Sequence, residues 1–304
     1  MESDSKFFAT QSWAGTCKEC NRFLPPLDDI AENFFENDYI SCADCGATVD
    51  LWQTVRAVAR NGLNGLWGLQ SLGAKSSFFT FSLAPGQTKT VDLSEFDVPA
   101  EAVILSVIYT PNGTGCFPLE THGNDARRKN STTKFQVFGW PVGEPAGSIP
   151  IATSVCWTDQ RGDPDAWVML ADALEAAAGE QYSRVLVPAH SAFEIGLSHL
   201  LKDILCRQAP SEDVNRFITE SLTASAALNV LVPYVCTSEK LPRLREEIRG
   251  QLNRLRKLRN EVVHEGVPER DLDKAEVREL LCAAVFGFEY VRYLRKKLES
   301  KSAT

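Results

Sequence analysis

Four cysteines near the amino terminus form two closely spaced pairs. Cys17 and Cys20 are separated by two residues, as are Cys42 and Cys45, and Gly46 follows the second pair directly. Two thiolates at this spacing can reach one ion from a tight turn, and two such turns complete a tetrahedral zinc site. We therefore predict a structural Zn²⁺ held by all four thiolates, with no open position for catalysis. A redox pair or unrelated core cysteines are the alternative.

The residues around these cysteines indicate what the metal module could bind. Zinc ribbons bind either nucleic acid or protein, but this segment has few basic residues and five acidic ones: Asp28, Asp29, Glu32, Glu36 and Asp38. Because acidic side chains repel a phosphate backbone, this composition favours a structural or protein-binding role.

A second group of chemically active residues lies on a segment with helical periodicity near the carboxyl end. An apolar seam runs along this segment at helical spacing: Leu244, Ile248, Leu252 and Leu255. Arg259 falls four residues beyond the last of these leucines, so a permanent charge continues the seam. An unpaired buried guanidinium is costly, so we expect it to face a carboxylate, a groove or a bound anion. Glu194, set among apolar residues of an earlier helix, is a candidate partner.

Asn260 and His264 follow on the same segment, four residues apart and hence on one helical face. An imidazole can take up and release protons near neutral pH, and a guanidinium can hold phosphate oxygens bidentately. Arg259 and His264 are five residues apart, or about 140° around an ideal helix. Their convergence on one phosphate requires a distorted helix end or a second copy of the chain. Alternatively, Arg259 pairs with a carboxylate and His264 caps the helix carboxyl end.

The run Arg259-Asn260-Glu261-Val262-Val263-His264 resembles the signature of the HEPN ribonuclease family, in which an arginine and a histidine are separated by four to six residues. A polar residue often follows the arginine in that family. The helix with Ser191-Ala192-Phe193-Glu194, the leucine-rich helix and the closing amphipathic helix are also similar. The likeness covers about residues 164–298 and does not extend to the cysteine or strand segments.

This resemblance implies a metal-independent endoribonuclease that is active as a homodimer, with the two motifs facing each other across a cleft. Arg259 would hold the phosphate, His264 would transfer the proton, and Asn260 would orient the phosphate or the imidazole. The products would be a 2′,3′-cyclic phosphate and a 5′-hydroxyl end, with no catalytic role for zinc. Family habit suggests a toxin-like role in antiviral defence through growth arrest. The alternative is a noncatalytic HEPN module that binds nucleotides or dimerises in a sensor or adaptor protein.

A local excess of basic residues accompanies the motif although the whole chain is acidic. The net charge is -8 and the pI is about 5.2, which excludes a generally basic nucleic-acid-coating protein. RNA would therefore meet a local patch, for which we select Arg249, Arg254, Arg256 and Lys257 within an excess that also includes Arg243 and Arg245.

The domain organisation that must position these residues is multidomain α+β. With 304 residues, the chain has room for two or three domains. We expect a zinc-ribbon-like module over 1–48, a helix and connector over 49–76, a β domain over 77–160, and a HEPN-like helical bundle over 163–304. A protein or ligand trigger could act through the zinc module or the β domain.

Three runs, two of them alternating and the middle one continuously apolar and β-branched, predict a small β sandwich or barrel in the middle of the chain. They are Phe79–Leu83, Val103–Tyr109 and Phe135–Phe138, and Pro85-Gly86-Gln87 predicts a turn after the first. Arg127-Arg128-Lys129 is interpreted as a solvated turn, with phosphate contact as the alternative.

Five helices are predicted after the strands. Asp163 and Pro164 indicate the start of the first, and Asp273 begins a capping-box pattern for the last. The others are expected at Ser191–Leu205, from Ser211 onwards, and over Leu241–His264 as the longest regular helix, with Pro233 ending or kinking an apolar run.

The amino-terminal residues and the lengths of the apolar runs indicate where in the cell the protein is located. Met1-Glu2-Ser3-Asp4 lacks the basic and apolar regions of a secretory signal, and no apolar run reaches the roughly 20 residues of a membrane span. We therefore expect a cytoplasmic protein without a membrane partner. The remaining cysteines are expected to be reduced core thiols: Cys116, Cys156, Cys206, Cys236 and Cys282.

Overall fold

The computed structural model describes residues 12–61, 66–122, 134–143, 147–160, 162–265 and 272–302. The chain divides into two compact units: Met1–Ser12 with Gly73–Gln160, and Trp13–Leu72 with Arg161–Thr304. The first unit contains most of the strands, and the second contains the cysteine pairs together with the helices. This confirms the mixed α+β class and a helical carboxyl-terminal region.

The secondary structure consists of eight strands and ten α-helices within the described residues. The strands are β1 Ile40–Ser41, β2 Thr48–Val49, β3 Lys75–Leu83, β4 Thr88–Asp92, β5 Val103–Pro111, β6 Cys116–His122, β7 Lys134–Pro141 and β8 Ile149–Thr158. The helices are α1 Leu27–Asn37, α2 Leu51–Asn61, α3 Leu66–Ser71, α4 Pro164–Ala178, α5 Leu186–Leu205, α6 Ser211–Arg216, α7 Ala224–Ala226, α8 Val232–Ser238, α9 Glu246–Glu265 and α10 Lys274–Ser302. Short 3₁₀ turns cover Leu93–Phe96 and Tyr182–Arg184, and π-helical turns cover Phe217–Ser221 and Ala227–Leu231.

The β unit is built from two antiparallel sheets of three strands each, in the orders β3-β8-β5 and β4-β7-β6. Buried side chains from both sheets form one hydrophobic cluster, in which Phe79 stacks on Phe96 with 3.8 Å between ring centroids. Two separate sheets over a shared core form a sandwich rather than a closed barrel. The three predicted runs lie within β3, β5 and β7, and Gly86 adopts a positive φ of 75° at the predicted turn.

Two further predictions on either side of this unit have different outcomes. The predicted connector after α2 is wrong in part, because α3 lies within it, where Leu66 to Ser71 give a run without prolines despite the flanking glycines. The basic loop Arg127-Arg128-Lys129 lies outside the described residues.

The helical unit packs α4, α5, α9 and α10 around a core that includes the predicted leucine seam. Ile248, Leu252 and Leu255 are almost completely buried. The seam then continues through Leu258, which is 5% exposed, and not through Arg259, which is only half-buried. The expectation that Arg259 occupies a buried leucine position was therefore wrong, because Leu258 takes the next buried place after Leu255 and leaves Arg259 at the edge of the seam.

The predicted start of α4 is confirmed. Asp163 lies at the N-cap in an extended conformation, and its Oδ1 accepts hydrogen bonds from the backbone N–H groups of Asp165 and Ala166 at 3.1 and 3.2 Å. Pro164 occupies the first turn, where its missing N–H group costs nothing.

Two predictions about the later helices are corrected. Helix α9 begins at Glu246 rather than Leu241, because Pro242 restricts its neighbour and its carbonyl accepts a hydrogen bond from Tyr290 Oη at 2.7 Å. The longest helix is α10, with 29 residues. The apolar run around Pro233 changes from the π-helical turn Ala227–Leu231 to α8 directly before the proline, which lies in the first turn of α8.

The cysteine segment belongs to the helical unit because its two helices pack against α10. Phe34 of α1 and Trp52 of α2 both meet Phe286 edge-on, with ring centroids 5.6 and 5.3 Å apart. Arg56 and Arg60 of α2 pair with the buried carboxylate of Glu279. These contacts place the metal module directly on the helix that closes the bundle.

The described helices differ from a membrane span in length or in composition. None alone has the length and apolar composition required, and only the bent pair of Ser211–Ser221 and Ala224–Ser238, which meet at 109°, reaches those limits when taken together.

Four of the five predicted core thiols are buried, and Cys206 is the exception because it lies exposed at the end of α5.

Candidate functional site

The two cysteine pairs lie in turns of the same local structure. In the first, Cys17 N–H donates to Arg22 O at 2.9 Å and Asn21 N–H donates to Cys17 O at 2.8 Å. In the second, Cys42 N–H donates to Ala47 O and Gly46 N–H donates to Cys42 O, both at 2.9 Å. The second turn therefore repeats the first at an offset of 25 residues.

Residues with positive φ close both turns. Gly46 has a φ of 71°, and Asn21 occupies the equivalent position with a φ of 57°. Asparagine is one of the few residues other than glycine that tolerate this conformation. Sequence reasoning recognised Gly46 but overlooked Asn21, although its place directly after the second cysteine of its pair was available as a clue.

The four sulfur atoms fit a tetrahedral metal ion. All four lie within 4.8 Å of one another, with 3.8 Å between Cys17 and Cys45 and 3.7 Å between Cys20 and Cys42. A zinc–sulfur bond of about 2.3 Å gives a tetrahedron with edges of about 3.8 Å, whereas a disulfide requires about 2.05 Å. The predicted cluster is confirmed as four cysteines that could hold one metal ion.

The thiols of this cluster differ in acidity. The backbone N–H groups of Cys45 and Asp44 lower the pKa of the Cys42 thiol to about 7. The backbone N–H of Arg22 acts in the same direction on Cys20, but burial and the other three thiols outweigh it and raise the pKa of Cys20 to about 12. Four thiolates therefore require a cation to be stable together at neutral pH.

Arg259 projects from the penultimate turn of α9, where its side chain is half-buried. Its Nη1 donates to Asn260 Oδ1 at 3.1 Å. Its Nε is buried and has no hydrogen-bond acceptor among the described residues. Arg259 Nε is thus a donor without an acceptor in the described part of the chain, on a side chain that can bind a carboxylate or phosphate.

Glu194, the predicted partner of Arg259, lies on α5 next to His190. Glu194 Oε2 and His190 Nδ1 are 3.4 Å apart, an ion-pair distance without hydrogen-bond geometry. The pKa of Glu194 is lowered first by His190 and then by the charges of Arg259 and Arg256. Glu194 therefore lies in the field of Arg259, while its shortest contact is to His190, which is 3% exposed.

His264 is exposed in the last turn of α9, four residues beyond Asn260. The helix remains α-helical from Glu246 to Glu265, so a distorted helix end does not bring Arg259 and His264 together. On a regular helix the two side chains diverge by about 140° and their backbones are about 7.5 Å apart along the axis.

The predicted RNA-binding residues fall into two groups. Arg249 pairs with Glu246, and Arg254 pairs with Glu276 of α10. Lys257 is exposed, and Arg256 has a buried Nε without an acceptor in the described part of the chain. Only the second group, on the turn before Arg259, has charge that no described carboxylate neutralises at contact distance.

A polar network that sequence reasoning did not anticipate surrounds Asp163. His199 Nδ1 contacts Asp163 Oδ2, and Arg295 Nη1 lies 3.2 Å from the same oxygen. Burial alone would raise the pKa of Asp163, but His199, the backbone N–H of Ala166 and Arg295 together lower it. Asp163 and Arg295 also line a cavity of about 390 Å³. The network fixes the start of α4 against α5 and α10.

Comparisons of the chain with models of protein families, with curated proteins and with solved structures give no match. The candidate sites are therefore defined by their own geometry and chemistry.

Proposed function

We propose that this chain is a metal-independent endoribonuclease of the HEPN type that acts as a homodimer. The observation that carries the proposal is Arg259 Nε, a buried donor without an acceptor among the described residues, five residues before an exposed histidine on one regular helix. A phosphate oxygen would accept a hydrogen bond from Arg259 Nε, while Nη1 already donates to Asn260 Oδ1. Arg256 lies one turn earlier, and its Nε also has no acceptor among the described residues, so this side chain extends the proposed anion-binding site.

The proposed reaction is transesterification at the phosphodiester. His264 accepts the proton of the ribose 2′-hydroxyl, the 2′-oxygen attacks phosphorus, and the bond to the 5′-oxygen breaks. The leaving 5′-oxygen then takes this proton from the same His264, which is now an imidazolium. Arg259 stabilises the charge that accumulates on the nonbridging oxygens. The products are a 2′,3′-cyclic phosphate and a 5′-hydroxyl, and the cysteine-bound metal takes no part in these steps.

The divergence of Arg259 and His264 supports a site shared between two copies. Since α9 is regular through His264, one helix presents the arginine and the histidine in different directions. Two helices that face each other can present the arginine of one and the histidine of the other to the same phosphate.

The test is RNA cleavage in EDTA, with metal content measured afterwards to verify that the structural ion is retained. We expect Arg259→Ala and His264→Ala each to reduce the rate about 100- to 10,000-fold. Arg216→Ala, which removes an exposed arginine of α6, is the matched control and should cut at the wild-type rate. Equal cleavage by all three variants, or products with a 5′-phosphate, would show that another nuclease is responsible.

The second candidate is a noncatalytic HEPN module that binds nucleotides or dimerises in a sensor. The Nε atoms of Arg256 and Arg259 both lack acceptors among the described residues, which favours anion binding whether or not proton transfer follows. Binding of an RNA with 2′-deoxy linkages separates the two functions, because it cannot be cleaved by this mechanism. The binding-only function predicts affinity that depends on Arg256 and Arg259 but not on His264, with no cleavage of ordinary RNA.

We also propose growth arrest during antiviral defence as the biological role, on the resemblance to the HEPN family alone. Expression of the wild-type chain should then stop growth of the host cell, whereas His264→Ala at the same expression level should not. A trigger recognised by the metal module or the β unit would act upstream of this step.

A further inference from the structure

We propose that Arg245 couples the metal centre to helix α9, so that metal binding fixes the first turn of the helix that carries Arg259 and His264. Sequence reasoning placed Arg245 in a basic surface for RNA. Its side chain is instead only 22% exposed and is directed into the cysteine module.

The first step of the coupling is the contact between Arg245 and the hairpin that carries Cys42 and Cys45. That hairpin consists of β1 and β2, and it is flanked by Asp38 on one side and Asp50 on the other. Arg245 Nη1 donates to Asp50 Oδ1 at 3.0 Å and to Asp38 O at 3.4 Å. One guanidinium therefore joins both ends of the metal-binding hairpin.

Asp38 and Asp50 are themselves fixed at helix ends. Asp38 closes α1 with a positive φ of 64°, and its N–H donates to Phe34 O. Asp50 Oδ1 accepts a hydrogen bond from Gln53 N–H in the first turn of α2 at 3.1 Å. The guanidinium carbon of Arg245 lies 5.7 Å from the centre of the Phe34 ring. A shift of the hairpin would thus change several contacts of Arg245 together.

The second step links Arg245 to α9. The Arg245 carbonyl accepts a hydrogen bond from Arg249 N–H at 3.0 Å, which is the first bond of that helix. Its Nη2 also lies 3.2 Å from Glu247 Oε2, which in turn accepts from Gln53 Nε2 at 3.3 Å. Arg245 therefore contacts the hairpin through its side chain and accepts the first hydrogen bond of α9 through its carbonyl.

Metal binding would stabilise a hairpin whose own strand pairing is short. β1 and β2 pair through two residues each, Ile40 with Val49 and Ser41 with Thr48, which is too short a ladder to be stable by itself. The four-cysteine site ties this hairpin to the turn of Cys17 and Cys20. Without the ion we expect the two ends of the hairpin to separate and Arg245 to lose its simultaneous contacts.

The experiment measures hydrogen exchange of the backbone amides at 249–252 in the full chain, loaded with Zn²⁺ and after its removal. We expect metal removal to speed this exchange about tenfold in the wild type. Arg245→Met, which keeps much of the apolar stem but has no donors, should exchange at the faster rate even with metal bound. Arg243→Met is the matched control, because Arg243 contacts Thr237 rather than the hairpin, and it should retain the metal effect.

Reciprocity provides an independent readout. A metal that protects α9 through Arg245 must bind more weakly by the same factor when Arg245 is replaced, so titration with Co²⁺ should show about tenfold lower affinity in Arg245→Met. The absorption of tetrahedral thiolate-bound Co²⁺ should be unchanged at saturation. Asp50→Asn removes the carboxylate charge but keeps an oxygen for Gln53, and it should give the same pattern in a milder form.

Two results would overturn the coupling. One is equal protection of 249–252 with and without metal in the wild-type chain. The other is a metal effect of full size in a folded Arg245→Met or Asp50→Asn variant. Neither readout requires RNA cleavage, so a failure of the coupling can be distinguished from a failure of the proposed ribonuclease function.

Discussion

The metal centre and the Arg259–His264 turn assemble chemical groups in opposite ways. The cysteines come from two segments 25 residues apart, yet their sulfur atoms lie within 4.8 Å because two matched turns direct them inward. Arg259 and His264 are only five residues apart, yet a regular helix sends them in different directions. The first site is closed within one chain and the second is open. Closeness along the sequence is therefore a poor guide to closeness of reacting atoms.

The largest effect is expected from breaking the closed site. Cys42→Ser should abolish stoichiometric metal binding and destabilise the helical unit, because binding free energy of the ion contributes to folding. At free Zn²⁺ about 1,000 times its Kd, the loss would be about 4 kcal/mol. Metal content and the unfolding transition with and without chelator measure both effects.

Cys206→Ser is the matched control for that experiment, since Cys206 belongs to the same unit but is exposed at the end of α5. It should bind metal and unfold like the wild type. A Cys42→Ser chain that keeps full metal content and stability would contradict a four-cysteine site.

The open site is tested by mixing inactive variants. If Arg259 of one copy works with His264 of the other, a mixture of Arg259→Ala and His264→Ala chains contains heterodimers with one intact site. Equal, random mixing should restore about one quarter of wild-type cleavage, because about half of the dimers are mixed and each has one working site. The measurement is the cleavage rate after the two variants are unfolded and refolded together. A site within one chain predicts no recovery.

A third test concerns the packing that holds α9 in place. A Cβ atom on Gly287 of α10 would lie 2.8 Å from Phe193 Cδ2 and 3.1 Å from Leu252 Cδ1. Gly287→Ala should therefore destabilise the helical unit by about 1–3 kcal/mol through overpacking between α5, α9 and α10. Denaturant unfolding measures the change.

Gly250 provides the opposite case on α9 itself, because a Cβ atom there meets no described atom within 4 Å. Gly250→Ala should stabilise the unit by about 0.5–1 kcal/mol, since it lowers the entropy of the unfolded chain. If both substitutions had the same sign, the tight packing around Gly287 would be the wrong explanation.

Sequence patterns predicted the parts of the fold that depend on local chemistry. The cysteine spacing gave the metal cluster, and Asp163 with Pro164 gave the start of α4, because each of these depends on a few adjacent residues. The alternating runs identified β3, β5 and β7 for the same reason. By contrast, the leucine pattern alone predicts a helix from Leu241, and the restriction that Pro242 places on its neighbour moves the start of α9 to Glu246.

The contacts between distant segments were beyond the reach of these patterns. No local pattern distinguishes Arg245 from Lys257. Arg245 donates hydrogen bonds to both ends of the hairpin, whereas Lys257 is exposed on α9. Likewise, the acidic residues of α1 indicated only that the module could meet protein. Two of them, Glu32 and Glu36, pair with lysines of α10 more than 200 residues away, and periodicity contains no information about such pairings.

The smallest expected effect concerns these pairings between α1 and α10. Glu32 lies 2.6 Å from Lys296 Nζ and 2.7 Å from Lys297 Nζ, and these two lysines lower its pKa, with Lys296 the larger cause. Because all three side chains are partly exposed, Glu32→Gln should cost about 1 kcal/mol or less. Glu299→Gln, which removes an exposed α10 carboxylate without an ion pair among the described residues, is the control and should change stability less.

The pH dependence gives this last prediction its sign. A carboxylate whose pKa is lowered by folding stabilises the protein above its ordinary pKa of 4.5, and that contribution is lost as the pH falls through the lower, folded value. The difference in unfolding free energy between wild type and Glu32→Gln should therefore be constant near neutral pH and shrink below about pH 4.5. A difference that persists undiminished in acid would mean that the cost of Glu32→Gln does not come from the carboxylate charge, and Phe34 and Trp52 would then be the main contacts that hold the metal module on α10.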